Sequence, residues 1–210
     1  MKYAENLLKD TLRIITEDTG APETVFDILK ARYTQPGRYY HGLDHISHCM
    51  KNLVAASLYI ENIDAIVLAL WFHDSIYTVG AKDNEWRSAE LASSLLSSYN
   101  VNPHLILRVV KLIMATTHTR LDLDGDAAII ADVDLSSFAD RDSMMKNSGN
   151  IRKEFESIPD DVYYPGRIKF LQGMLAREAI FQHPVFAHLN AVAKANIQYE
   201  IQKLQDHVED

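Results

Sequence analysis

The stretch Ala65-Ile66-Val67-Leu68-Ala69-Leu70-Trp71-Phe72-His73-Asp74 runs an unbroken set of core-type residues into an imidazole and a carboxylate. Its apolar side chains cover every side of a helix, so the reading is a central helix from about Asn62 to Phe72, buried all round. Ending such a helix on His73-Asp74 is costly unless something compensates the polar groups. Histidine suits the negative end of a helix macrodipole, but an aspartate there meets charge of its own sign. A divalent cation compensates both, because a neutral imidazole and an ionised carboxylate are ordinary ligands.

Two further clusters extend this reading outward. Upstream lie His41, Asp44, His45 and His48. The three histidines are spaced i, i+4, i+7 and share one face of a helix, where two or three could converge on one ion. A polar, partly exposed helix face gives the same spacing. Asp44 could cap the helix or sit behind a ligand. Downstream comes Asp132-Val133-Asp134. Carboxylates two apart point in different directions on a helix, so only one of them is expected to be a ligand and the other a cap.

The rest of the chain is helical in period. Leu7, Leu8, Leu12 and Ile15 share a face in a helix from Tyr3 to Ile15, and Pro22 opens a second that Pro36-Gly37 ends. Further helices are expected over His41 to Tyr59, from an Asp83 cap through Leu96, and from Pro103 through Ile113. Others follow over Ala127 to Phe138, Asp140 to Ser157, Arg167 to Phe181 and Val185 to His207. No convincing strand alternation, phosphate-loop glycine pattern, zinc-finger spacing or internal repeat appears. The expectation is an all-α fold, residues 1–210 forming one domain of about ten helices.

At 210 residues, with 47% hydrophobic and 24% charged content, the chain has an ordinary globular composition. A net charge of −8 and the lack of a basic run exclude extended nucleic acid as a partner, though not a small phosphorylated one. The single cysteine, Cys49, forms no intramolecular disulfide, and no stretch reaches the roughly 18 apolar residues of a membrane span. A soluble protein of the reducing cytoplasm is expected. Ile201 and Leu204 could serve an interface in a homodimer.

The order His, His-Asp, Asp over three helices resembles the HD superfamily of metal-dependent phosphohydrolases, named for that doublet. The resemblance continues through Arg38-Tyr39-Tyr40-His41, His73-Asp74-Ser75-Ile76-Tyr77, Asn84-Glu85 with Ser88-Ala89, Asp132-Val133-Asp134-Leu135-Ser136, Arg152-Lys153-Glu154-Phe155 and Gly166-Arg167. These resemble a bacterial branch of predicted metal-dependent hydrolases and span nearly the whole chain. What the resemblance implies is a helical bundle of the HD type with His45, His73, Asp74 and Asp134 as metal ligands. It also implies hydrolysis of a phosphoester on a small, nucleotide-like substrate. Tyr77 stands where superfamily members with deoxynucleoside monophosphate substrates carry a glutamate, so that substrate does not carry over.

Mixed nitrogen and oxygen ligands suit manganese, iron, cobalt, nickel, zinc or magnesium. Around the quartet, Arg38 is a candidate phosphate clamp or a surface loop arginine. His118 is a candidate general acid, phosphate contact or second-site ligand, with helix capping as the alternative. Glu85 is a candidate base or second-metal ligand, and His41 a candidate substrate contact. Arg167 reads as helix-start solvation with a phosphate contact as the alternative, Trp71 and Phe72 as core rather than a base-stacking platform, and His183, His188 and His207 as surface positions. Two other functions fit the same motif: a di-iron oxygenase-like redox enzyme, and a non-catalytic sensor of nucleotide or metal.

Overall fold

The computed structural model describes residues 1–209, with side chains described as far as residue 207. Helix accounts for 73% of the chain and no strand is present among the described residues, so the all-α expectation holds. In chain order the α-helices are α1 (Lys2–Ile15), α2 (Ala21–Tyr33), α3 (Leu43–Asn52), α4 (Ile63–Phe72) and α5 (Asn84–Ser98). They continue as α6 (Pro103–Ala115), α7 (Gly125–Asp134), α8 (Arg141–Glu154), α9 (Asp160–Leu175) and α10 (Asn190–Glu209). Short 3-10 helices lie at Leu53–Tyr59, Leu135–Ala139 and Pro184–Leu189. No described helix is long and apolar enough to cross a membrane.

Helix α4 is the axis. Every residue from Ala65 to Phe72 is 0% exposed, which is what an all-round apolar sequence requires. It packs against α1, α3, α5, α6 and α7. The Asn62 side chain accepts from the Ala65 N–H at 2.8 Å and fixes where the helix starts. Near the other end the Trp71 indole N–H donates to the Ala4 carbonyl at 3.1 Å, and Tyr33 Oη donates to the Trp71 carbonyl at 2.9 Å. With both polar handles satisfied, the aromatic bodies can be buried in full.

Several boundaries differ from the sequence expectation, each for a local reason. The helix expected over His41 to Tyr59 starts only at Leu43, after Gly42, and tightens into a 3-10 helix at Leu53. Asp83 precedes α5 but makes no side-chain cap. Instead Asn84 closes the preceding loop, accepting from the Thr78 N–H at 2.9 Å and donating to its carbonyl at 3.0 Å. Helix α9 begins at Asp160 rather than Arg167 and carries Pro165 inside it. The proline removes one helical donor, while burial of Tyr163, Leu171 and Met174 holds the segment in place.

That helix stops at Leu175, short of the expected Phe181. The following N–H groups are claimed by side chains: Ile180 and Phe181 donate to Asn190 Oδ1 at 2.7 and 3.0 Å. Ile201 and Leu204, the interface candidates, are buried inside the chain's own core at 9% and 7% exposure. They are therefore not available to a second copy.

Candidate functional site

The C-terminus of α4 delivers His73 and Asp74, the first turn of α3 delivers His45, and the last residue of α7 is Asp134. All three helices pack together, so four ligand-type atoms meet. His45 Nε2 lies 2.9 Å from Asp134 Oδ1, 3.2 Å from His73 Nε2 and 3.7 Å from Asp74 Oδ2. His73 Nε2 lies 3.1 Å from Asp74 Oδ2 and 3.5 Å from Asp134 Oδ1. Ligands about 2.0–2.2 Å from one ion stand about 3 to 3.5 Å from one another, close to the 2.9–3.7 Å found.

The tautomer is set from outside the cluster. The His73 Nδ1–H donates to the Leu70 carbonyl at 2.8 Å, so the neutral ring turns the Nε2 lone pair inward, the arrangement of a metal-bound histidine. Two ring nitrogens and two carboxylate oxygens facing one point need positive charge between them. The donor set therefore fits a divalent cation.

Without the ion, a proton takes that place. Burial opposes the His73 imidazolium, but the charge of Asp74 and hydrogen bonds with Asp134 and Asp74 hold its pKa well above the usual value. Burial likewise opposes charge on Asp74 and Asp134, yet the surrounding histidines hold both carboxyls below their usual range. The signs then follow. A raised histidine contributes stability below its unfolded value of about 6.5 and loses it as pH climbs through the folded value, while depressed carboxylates contribute above about pH 4 and lose it on acidification. Ion-free protein is expected to be most stable between about pH 4 and 6.5 and to melt earlier above that range, whereas metal-loaded protein keeps its melting temperature. Thermal melts across pH, with and without chelator, check this; coincident curves would count against a proton filling the site.

Of the two candidate aspartates, Asp134 enters the centre and Asp132 does not. Asp132 accepts from the Gln182 and His183 N–H groups at 2.8 and 2.7 Å, pinning the segment after α9. Burial pushes its carboxyl up to about 6 against those two donors. His48 also points away, with Nε2 3.0 Å from Ser136 Oγ, and Asp44 is exposed in the first turn of α3. Cys49, one turn after His45, packs its Sγ 3.7 Å from His45 Nε2, and burial pushes the thiol up.

Arg38 is not free to clamp phosphate. Its Nη1 donates to the Asp74 and His41 carbonyls at 2.6 and 3.1 Å, and its Nη2 to the Ser75 carbonyl at 3.0 Å. It caps the chain as it leaves α4 and offsets the acid-on-dipole conflict at Asp74. Arg38→Ala is expected to cost about 2–3 kcal/mol, since it leaves buried carbonyls unpaired. Lysine should restore little, lacking the planar fork. Urea denaturation of both variants reads this out.

A cavity of about 600 Å³ opens over the centre, with Asp74, Asp134, His118, Glu85 and His41 at one end. His118 Nε2 lies 2.7 Å from Asp134 Oδ2, the oxygen turned away from the other ligands. Its backbone is in the left-handed region at φ 53, held there by the Arg177 guanidinium donating to its carbonyl at 2.7 Å. Such strain is tolerated where the surroundings impose it. The Glu85 carboxyl is raised by burial, with Asp74 and Asp134 adding to the shift against His73 and its own backbone.

His41 has a partner that the sequence did not suggest. Its Nδ1 lies 2.6 Å from Glu154 Oε2, and Glu154 Oε1 accepts from the Tyr40 and His41 N–H groups at 2.7 and 2.8 Å. Burial would raise the Glu154 carboxyl, but these contacts hold it below the usual range. Tyr77 stacks on the imidazole with ring centroids 4.0 Å apart. The detectable signal was position: Glu154 continues the stripe Met144, Ser148, Ile151 along α8, where an apolar residue would otherwise stand.

Comparisons with protein-family models, with curated proteins and with solved structures found no match to this chain, so the geometry of the centre carries the functional argument.

Proposed function

We propose that this protein is a metal-dependent phosphohydrolase of the HD type, with His45, His73, Asp74 and Asp134 holding one divalent ion. The reading rests on the buried group His45, His73 and Asp74, with Asp134 Oδ1 2.9 Å from His45, whose two carboxylates face a cavity. A bound divalent ion supplies Lewis acidity to a phosphoryl oxygen and lowers the pKa of a water beside it. The chain's own residues do the rest. Glu154 takes the Nδ1–H of His41, which leaves Nε2 as a base facing the cavity. Burial and the nearby Glu154 carboxylate keep the Tyr77 phenol neutral, so it steadies the ring by stacking. His118, whose Nε2 is engaged by Asp134, lines the same cavity and would donate to a leaving or phosphoryl oxygen through Nδ1.

One observation favours a two-ion version. Asp134 presents Oδ1 to His45 and His73 and Oδ2 to His118, and Glu85 lines the same cavity, so Asp134, His118 and Glu85 are the residues that would hold a second ion. Two irons so held would give the redox reading instead.

Elemental analysis of purified protein, with phosphate release measured across divalent ions and phosphoesters, tests the proposal. Bound metal with turnover that His73→Ala abolishes is the expected result. Metal without release from any ester would move the assignment to a redox or sensor function, and failure to retain any divalent ion would end it.

A further inference from the structure

The wall of the cavity opposite the metal centre comes from α8, α9 and the 3-10 helix between α7 and α8. It is faced by Phe138, Met144, Ile151, Phe155, Ile158 and Phe170. Ile151, Phe155 and Ile158 stay half-buried, and Phe170 is 46% exposed, so apolar surface faces the cavity with no protein group covering it. Exposed apolar surface of this kind is normally a place where something docks. The volume of about 600 Å³ would admit a nucleotide, so size alone decides nothing.

Charge decides. Among the described residues the single lysine or arginine lining the cavity is Arg167. Its Nε and Nη2 each sit 3.0 Å from Glu200 Oε1, and the Glu200 side chain is wholly buried. Arg167 is thus already neutralised, and a buried pair is not cheaply broken for a ligand. Three carboxylates line the cavity, Asp74, Glu85 and Asp134, and a divalent ion offsets only two of those charges. The two histidines of the lining, His41 and His118, are each already set against a carboxylate, Glu154 and Asp134, so no surplus positive charge is left for a chain of phosphates. Of the polar groups in the wall, Asn84 spends both ends of its amide on Thr78, which leaves Asn147 and the unpaired Tyr163 hydroxyl beside the apolar surface, enough for an isolated polar contact but not for a string of charges.

Resting on the phosphohydrolase reading, we infer that the substrate is a phosphate monoester with one phosphoryl group and an uncharged, largely apolar organic group. The phosphoryl group meets the metal centre and the organic group fills the chamber between α8 and α9. Nucleoside di- and triphosphates are excluded, since their further charges would lie against carboxylates and hydrocarbon.

Calorimetry on manganese-loaded full-length protein tests this with non-hydrolysable probes: 1-naphthylphosphonate, methylphosphonate and the methylene analogue of ATP. The naphthyl compound should bind at least tenfold tighter than either of the others. Ile151→Trp, which fills the chamber, should remove most of that advantage while leaving metal content and methylphosphonate binding unchanged. Phe170→Ala, at a half-exposed position that tolerates truncation, should weaken naphthyl binding in the same selective way. The ATP analogue binding as tightly as the naphthyl compound would overturn the inference, as would naphthyl binding indifferent to both substitutions. Phosphate release from nucleotides but not from 1-naphthyl phosphate would overturn it too and leave the hydrolase standing. Selective naphthyl binding with no ester hydrolysed would sustain the chamber's preference and sink the hydrolase.

Discussion

If the protein is the metal-dependent hydrolase proposed above, Asp134→Ala is expected to empty the metal centre and abolish turnover, while Asp132→Ala, two residues away, keeps both. Among the described residues Asp134 is the one carboxylate that touches three histidines, at 2.9 Å to His45, 3.5 Å to His73 and 2.7 Å to His118. Its loss removes a ligand and half the negative charge that makes the site attract a cation. Changes to groups that merely support metal ligands cost about 10- to 100-fold in affinity, so losing a direct ligand should exceed that. Activity should fall to background at ordinary metal concentrations, and added metal should not restore it. Asp132→Ala instead strips two N–H groups, those of Gln182 and His183, of their acceptor. It should lower stability by about 1–3 kcal/mol with metal content intact. Elemental analysis and thermal melts on both variants separate the two roles; equal metal loss from both would mean that α7 had been displaced rather than a ligand removed.

That contrast also marks how far the sequence could be read. Helix α4 was legible because burial on all sides leaves a compositional trace, and His73-Asp74 because polar groups at its end need compensation. The pairing of His45 with that doublet was legible through helical spacing and family resemblance together. The spacing alone admitted His41 and His48 equally, and in the structure His41 precedes the helix while His48 turns to Ser136. Choices of this kind depend on where α3 starts, and Gly42 sets that start in a way no periodicity records. The Arg38 role was illegible for a different reason. Its partners are main-chain carbonyls at 41, 74 and 75, and a carbonyl is present at every position of any sequence. Glu154 escaped because its partner is 113 residues away, joined through the packed core rather than along the chain.

Glu154 carries the second large expectation. In the wild-type protein its carboxylate can only accept, so His41 Nδ1 carries a proton and, in the neutral ring, Nε2 is the free base. Glu154→Gln keeps the shape and can still accept from the Tyr40 and His41 N–H groups through its carbonyl oxygen. The amide nitrogen is then turned to His41 Nδ1 and donates to it. The ring is forced into the opposite tautomer, with Nε2 protonated and unable to take a proton. General acid–base groups contribute about 10²- to 10⁴-fold, so kcat should fall by about 10²-fold or more in this variant and by at least as much in His41→Ala. KM and metal content should stay close to wild type, because neither residue is a ligand in the quartet. The acidic limb of the wild-type pH–rate profile, where a general base is lost to protonation, should be altered in the same way by both substitutions, and the double variant should lose little beyond either single one. A purely structural Glu154 would behave otherwise: melting temperature would fall with kcat and KM together, and the pH profile of the residual activity would match wild type.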